Sequence, residues 1–501
     1  MKTKRILKKV LATATAVALA LTCFSVTSLA DTNNAAKVGE KEYATLQEAL
    51  DNAEKGTVVL LRDVTESVTV SEDAVLDLGT FTLTNNGKNH TVTVNENAKL
   101  TVEGNGVIDN TVHGKGALVN NGEVVIKGGT MTRSQEAGNT PDSNGGNSWY
   151  VIDNHGTITM NGGSVTGKSG YSSLIRNIGA TFNMNAGTLD NNFIVLKNDD
   201  NGKINMTGGT ISTKAAGGSA IQNWGTLEMT GGTLNAVDGA AALYALAWSA
   251  DYDAPVANIS GSAVINGKVQ IKEDENYPGK ASPTVNFNGG QVNGSVEVGS
   301  AGNLTVNDGV IEGAVTLTST GEADITGGTV MGKVSSNGEN KVAVSGGTFY
   351  TELDDTVDVQ SDMKAVITSG DTTKTVVGKE DVQEAISQLK AGDHIRFDAV
   401  AESEEISIPE GVAIKNNTGA DMTINGVTVA AGAEVIVKDN SGTDGNGDSN
   451  QGDKPAPSEP DKAEETPETG DDTMIMGFAV MMLAALGLGG VLVATRRTCR
   501  K

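Results

Sequence analysis

Lys203-Ile204-Asn205-Met206-Thr207-Gly208-Gly209-Thr210-Ile211 is followed 23 residues later by Thr226-Leu227-Glu228-Met229-Thr230-Gly231-Gly232-Thr233-Leu234. Both stretches alternate apolar and polar residues, break at two glycines, and then resume the alternation. Alternation of period two reads as a half-buried strand, and paired glycines read as a bend between strands. The same phrase stands at Val124–Met131 and at Lys341–Phe349. A unit that recurs about every 20 residues predicts a stacked coil architecture, in which each coil buries its apolar face only against its neighbours.

Aligning the coils on one glycine sharpens the pattern. Gly122, Gly156, Gly179, Gly202 and Gly225 are preceded two positions earlier by Asn120, Asn154, Asn177, Asp200 and Asn223. Parallel strands stack about 4.8 Å apart. A column of amides at that spacing predicts a ladder, each side chain bonding the one above and below. Ile126, Met160, Met184, Met206 and Met229 form a matching apolar column. Further on, Gly294, Gly313 and Gly332 recur every 19 residues, as do Gly309, Gly328 and Gly347. A calcium-binding nonapeptide roll needs Gly-Gly-x-Gly-x-Asp at nine-residue steps, and that motif is absent.

In repeat grammar, residues 57–370 resemble the right-handed parallel β-helix of the pectin-lyase-like superfamily. The expected fold is therefore all-β: a solenoid of a dozen or so coils and about 60 Å. Thr45-Leu46-Gln47-Glu48 reads as a capping box. Leu46, Ala49, Leu50 and Ala53 make one apolar stripe, so a helix ending at Gly56 is expected to cover the first coil. Thr45–Val64 aligns without a gap on Asp381–Val400. A second short module, 372–438, with a helix over 381–390 and then strands, follows the capped β-helix of 31–371. It reads either as a cover for the far end or as a truncated second solenoid.

The ends give an address. Lys2, Lys4, Arg5, Lys8 and Lys9 precede an apolar run from Val10 to Leu21, and Ser28-Leu29-Ala30 supplies small residues for cleavage before Asp31. Residues 1–30 read as a signal peptide. Residues 439–469 are Gly, Asp, Asn, Pro and Glu with almost nothing apolar, which predicts a disordered acidic spacer. Residues 474–494 are uncharged, apolar and long enough to form a transmembrane helix, and Arg496, Arg497, Arg500 and Lys501 follow. Just before this span stands Pro467-Glu468-Thr469-Gly470. This sorting-signal region, 466–501, resembles that of Gram-positive cell-wall proteins. The resemblance implies that a sortase cuts Thr469–Gly470 and joins the chain to peptidoglycan. Thr466 replaces the usual Leu, which leaves the sortase class open and keeps a plain single-pass membrane anchor as the alternative.

Cys23 and Cys499 are the only cysteines. Both leave with the processed ends, so no disulfide framework or thiolate site is expected. Nine of the 37 basic residues and two of the 62 acids leave as well, taking the net charge from −25 to −32. Such acidity argues against nucleic acid as a partner.

The superfamily contains polysaccharide lyases and hydrolases, so the resemblance implies the residues of one or the other if the chain is an enzyme. Lyases of this kind place a calcium cluster of acids beside a catalytic Arg or Lys. After processing only Arg62, Arg133, Arg176 and Arg396 remain, none in such a motif. The hydrolases order three Asp, then His-Gly, then Arg-x-Lys. Here His155-Gly156 precedes Asp199-Asp200 and Arg-x-Lys is missing, so Asp200 reads as the acidic rung of the ladder and His155 as an exposed corner. His90, His113, His155 and His394 lack metal-ligand spacing. No catalytic residue, metal or cofactor is assigned.

The binding signal is aromatic. Trp149, Tyr150, Tyr171, Trp224, Tyr244, Trp248 and Tyr252 fall in the central coils, around excursions at about 133–148 and 239–257. Insertions in a solenoid map to one face, and aromatic rings stack on sugars. They serve equally to pack the excursions onto the coils. The expectation is a monomeric, wall-attached stalk or adhesin that binds glycans or glycoproteins. A polysaccharide-active enzyme and a purely structural wall component are the alternatives.

Overall fold

A computed structural model describes residues 33–134, 150–247, 253–276, 278, 281–401 and 406–438. The expected signal peptide, spacer, sorting motif and apolar span lie outside these residues, as do Trp149, Trp248 and Tyr252. Among the described residues, no helix is long and apolar enough to cross a membrane.

Alternating strands build a right-handed β-solenoid of about 14 turns. Strand Thr157–Thr166 shows how the Gly-Gly phrase makes a coil. Ile158 and Met160 point inward before the glycines and Val165 points inward after them. Gly163 sits at φ +72°, which turns the strand, and a Cβ there would lie 2.8 Å from the Gly128 and Gly129 carbonyls of the coil before. Only glycine combines that backbone angle with that approach. In neighbouring coils the phrase splits into two strands, as in Lys203–Met206 and Thr210–Thr213. Apart from shifts at some of the bends, coils stack in register: Met160 faces Met184, Met184 faces Met206, and Met206 faces Met229. All four are fully buried, with columns of Ile, Leu and Val beside them.

Each coil also contributes one short strand to a separate, wholly parallel sheet of twelve strands, running in chain order from Val68–Val70 to Val334–Ser336. This sheet carries the candidate site described below.

At the N-terminal end, strand Ala36–Val38 pairs antiparallel with Lys41–Tyr43 and Thr57–Leu60. Helix α1, Leu46–Asp51, buries Leu46, Ala49 and Leu50 in the main core. Thr45 is its N-cap, its hydroxyl accepting from the Glu48 N–H at 3.2 Å. A second acceptor comes from outside the helix: the Glu66 carboxylate takes the Leu46 and Gln47 N–H groups at 2.9 and 3.2 Å. The helix ends at Asp51, ahead of Gly56.

At the other end a second hydrophobic cluster runs from Met363 to Val429. Helix α2, Lys379–Ser387, starts two residues before the expected 381. The alignment of Asp381 with Thr45 does not extend to its role. The cap position is Gly378, at φ +96° with no side-chain cap. Asp381 instead accepts from the Gly347 N–H of the last Gly-Gly bend at 2.8 Å. Strand Thr372–Val377 lies antiparallel on the second half of Val342–Phe349, while Val357–Val359 lies parallel on its first half. Beyond it, His394–Ala399 and Ala413–Asn416 again pair in parallel.

Candidate functional site

Successive side chains of a strand point to opposite faces, so the short strands of the twelve-stranded sheet, such as Leu118–Asn120, turn two residues inward on either side of a central outward one, and the second inward residue leads into the corner. In five consecutive coils that second inward residue is asparagine: Asn120, Asn154, Asn177, Asn198 and Asn223, all fully buried. Each amide donates to the next one's oxygen, at 2.7 Å from Asn120 to Asn154, 2.6 Å to Asn177, 2.8 Å to Asn198 and 2.8 Å to Asn223. The last, Asn223, donates to the Val256 carbonyl at 3.1 Å.

Asp200 is therefore not a rung, and Asn198 takes the place expected for it. The corner of that coil is two residues longer than those of Asn154–Gly156 and Asn223–Gly225. Asp200 and Asn201 occupy the extra turn in the left-handed region, at φ +49° and +58°. Counting back two from Gly202 consequently lands in the turn. An amide is also the chemically better rung, because it donates and accepts at once whereas an ionised carboxylate only accepts.

The outward neighbours of these asparagines form the candidate site. Register places Asp153, Arg176, Lys197, Gln222, Tyr244 and Gln270 in one column across six consecutive strands. The column on the other side of the asparagines contains His155, Asp199 and Trp224. Asp199 accepts both neighbouring cations on one oxygen, Oδ2, which lies 3.3 Å from Arg176 Nε and 3.0 Å from Lys197 Nζ. Asp153 Oδ2 stands 3.3 Å from Nε2 of the exposed His155.

Three of the expected aromatics join this face. The Lys197 ammonium lies 4.0 Å from the centre of the Trp224 ring, a cation–π contact. The Arg176 guanidinium lies 5.6 Å from the Tyr150 ring. Tyr244 stands beside Lys272. Burial pushes the Tyr150 and Tyr244 hydroxyls above their ordinary pKa. Burial opposes the charge of Lys272, yet the hydrogen bonds it donates to Glu275 and Tyr244 hold its pKa above the usual value. Tyr171 lies elsewhere, on the turn before Ile175–Ile178, with its ring centre 6.4 Å from that of Phe193.

On the same face are polar atoms with no hydrogen-bond partner among the described residues: Asp153 Oδ1, Asp199 Oδ1 and Gln222 Oε1. These residues are 4 %, 3 % and 9 % exposed. A buried acceptor without a donor destabilises by about 1–3 kcal/mol, so each of these atoms is a place where an added donor would be favourable. Past Tyr244 the face continues as a groove of about 430 Å³, lined by Gln270, Lys272, Glu273, Glu275 and Glu297 among others. Among the described residues, no group of three or more His, Asp or Glu could hold a metal.

One signal in the sequence marks this column: the residue just before each ladder asparagine. Asp153, Arg176, Lys197 and Gln222 differ in type, so no residue repeat reveals them. They share only that position, which can be read once Asn198 is known to be the rung.

Comparison with known proteins finds no matching family model, no matching curated protein and no matching solved structure.

Proposed function

We propose that this chain is a secreted, wall-attached surface protein of a Gram-positive bacterium, and that it binds glycans or glycoproteins on the outward face of its twelve-stranded sheet. The observation that carries this reading is the gathering of Tyr244, Arg176 and Lys197, on strands of one sheet, with Tyr150 and Trp224 at the ends of two more of its strands. Rings stack on the apolar faces of sugars, and flanking polar groups fix their orientation. The basic head with its apolar run supports secretion. The Pro467–Gly470 motif with its apolar span and basic tail supports sortase attachment to peptidoglycan, cut at Thr469–Gly470. The repeat grammar supports kinship with the pectin-lyase-like β-helices, and helix α1 serves to cover the open edge of the first coils. Binding is tested on a glycan array with wild type and Trp224→Ala/Tyr244→Ala. The expected result is a set of glycans bound by wild type and lost in the variant. An array without a single bound glycan would sink the reading.

A polysaccharide-active enzyme is the second reading, favoured by Asp153 with His155 and by Asp199 with Arg176 and Lys197. These are acids and bases on one face, although their sequence order matches neither enzyme pattern. Incubation with soluble polysaccharides, assayed for new reducing ends, separates the two: an adhesin releases none.

A further inference from the structure

We infer that the face across Asp153, Arg176, Lys197, Gln222 and Tyr244 receives a neutral, hydroxyl-rich glycan chain, not a uronate, sulfated or amino-sugar polymer. The inference rests on the glycan-binding reading above and specifies its ligand class.

The unmet demand on this face is for hydrogen-bond donors. Asp153 Oδ1, Asp199 Oδ1 and Gln222 Oε1 are acceptors, each buried and each without a partner among the described residues. The positive charge that an acidic sugar would seek is already committed, since Arg176 and Lys197 converge on the same oxygen of Asp199. A uronate or sulfate would bring further acceptors and meet Asp153 and Asp199 at close range. An amino sugar would bring donors that suit Asp153 and Asp199, but its ammonium would have to compete with Arg176 and Lys197, cations already held by Asp199 and by the Tyr150 and Trp224 rings. Neutral hydroxyls supply donors without either conflict, and the ring C–H face stacks on an aromatic.

Entry requires movement. The Lys197 ammonium occupies the Trp224 ring in the free protein, and its four-carbon stem is flexible. A sugar ring that stacks there takes the ammonium's place and uncovers Asp199. The groove beyond Tyr244 continues along the strand-stacking direction, which suits a chain better than a single sugar.

The test measures binding of the full-length chain to four sets of oligosaccharides: neutral gluco-, manno- and galacto-oligomers, oligouronates, sulfated oligomers, and deacetylated amino-sugar oligomers. The expected result is at least a tenfold preference for a neutral set. Gln222→Leu is then expected to lose about tenfold in affinity, the scale of one hydrogen bond, with its thermal midpoint unchanged or raised, because it removes a buried acceptor that has no partner in the free protein. A merely structural Gln222 would instead lower the midpoint. Preference for an acidic or amino set, abolished by Trp224→Ala, would overturn the neutral-ligand inference while leaving glycan binding intact. Binding to no set would overturn both.

Discussion

Asn177 donates to Asn198 and accepts from Asn154, both inside a fully buried column. Removing it leaves a donor above and an acceptor below without their partner, a loss of about 1–3 kcal/mol for each group so stranded. Asn177→Ala is thus expected to destabilise the solenoid by about 2–4 kcal/mol, read as a lower urea midpoint. Asp200→Asn keeps a residue that tolerates the left-handed turn, and is expected to stay within about 0.5 kcal/mol of wild type. Equal losses for the two variants would contradict the assignment of Asn198 as the rung. The amide column was legible in four of its five members because their spacing to glycine is constant. The fifth was hidden by a longer corner, which local counting cannot detect. Other stacks went unread because their asparagines recur in only some of the coils, Glu228 standing at the same place in the coil between Asn205 and Asn258. Asn205 on Asn183 at 2.7 Å, Asn286 on Asn258 at 2.8 Å and Asn307 on Asn288 at 2.7 Å run along the outside of the larger sheet.

The two helices show what an element's own residues do and do not specify. Thr45 was recognisable as a cap from three residues of context. Glu66, which takes two further N–H groups of α1, lies 20 residues downstream of Leu46 and becomes visible only in the fold. Helix α2 departs further from its aligned twin, because Asp381 turns toward the last coil. Burial there, with Glu384, Glu380 and Asp308 nearby, raises the pKa of Asp381, and the Gly347 N–H only partly opposes this. The folded state therefore holds the proton more tightly than the unfolded one. The resulting stability is complete below the ordinary carboxylate pKa of about 3.9 and is lost as pH rises through the folded value. Asp381→Asn retains an oxygen for Gly347 while removing the charge. It should raise the thermal midpoint near pH 7 and match wild type near pH 3. A lower midpoint at neutral pH would show that the carboxylate charge favours docking.

At the scale of the whole solenoid, coils touch only their neighbours, so stability is a sum of coil and interface terms. Amides between 152 and 229, flanked by coils on both sides and braced by the asparagine column, are expected to exchange hydrogen most slowly. Those of Ala36–Val38 and Glu434–Ile436 are expected to exchange first. Uniform protection along the chain, measured by mass spectrometry, would instead indicate one cooperative block. The solenoid was readable from its period because every coil repeats one solution to the same packing problem. The proposed face was not, because Asp153, Arg176, Lys197 and Gln222 are each separated by a full coil and united only by register.

The 19-residue spacing of Gly294, Gly313 and Gly332 gives each of these coils the same lateral partners, with Val296 facing Val315 and Val315 facing Val334. A duplicated or lost coil would meet neighbours equivalent to the ones it had before. Recombination between such tandem stretches can thus lengthen or shorten the solenoid in fixed steps of about 4.8 Å, leaving the column from Asp153 to Tyr244 upstream untouched while extending or trimming the groove that runs from Gln270 to Thr318.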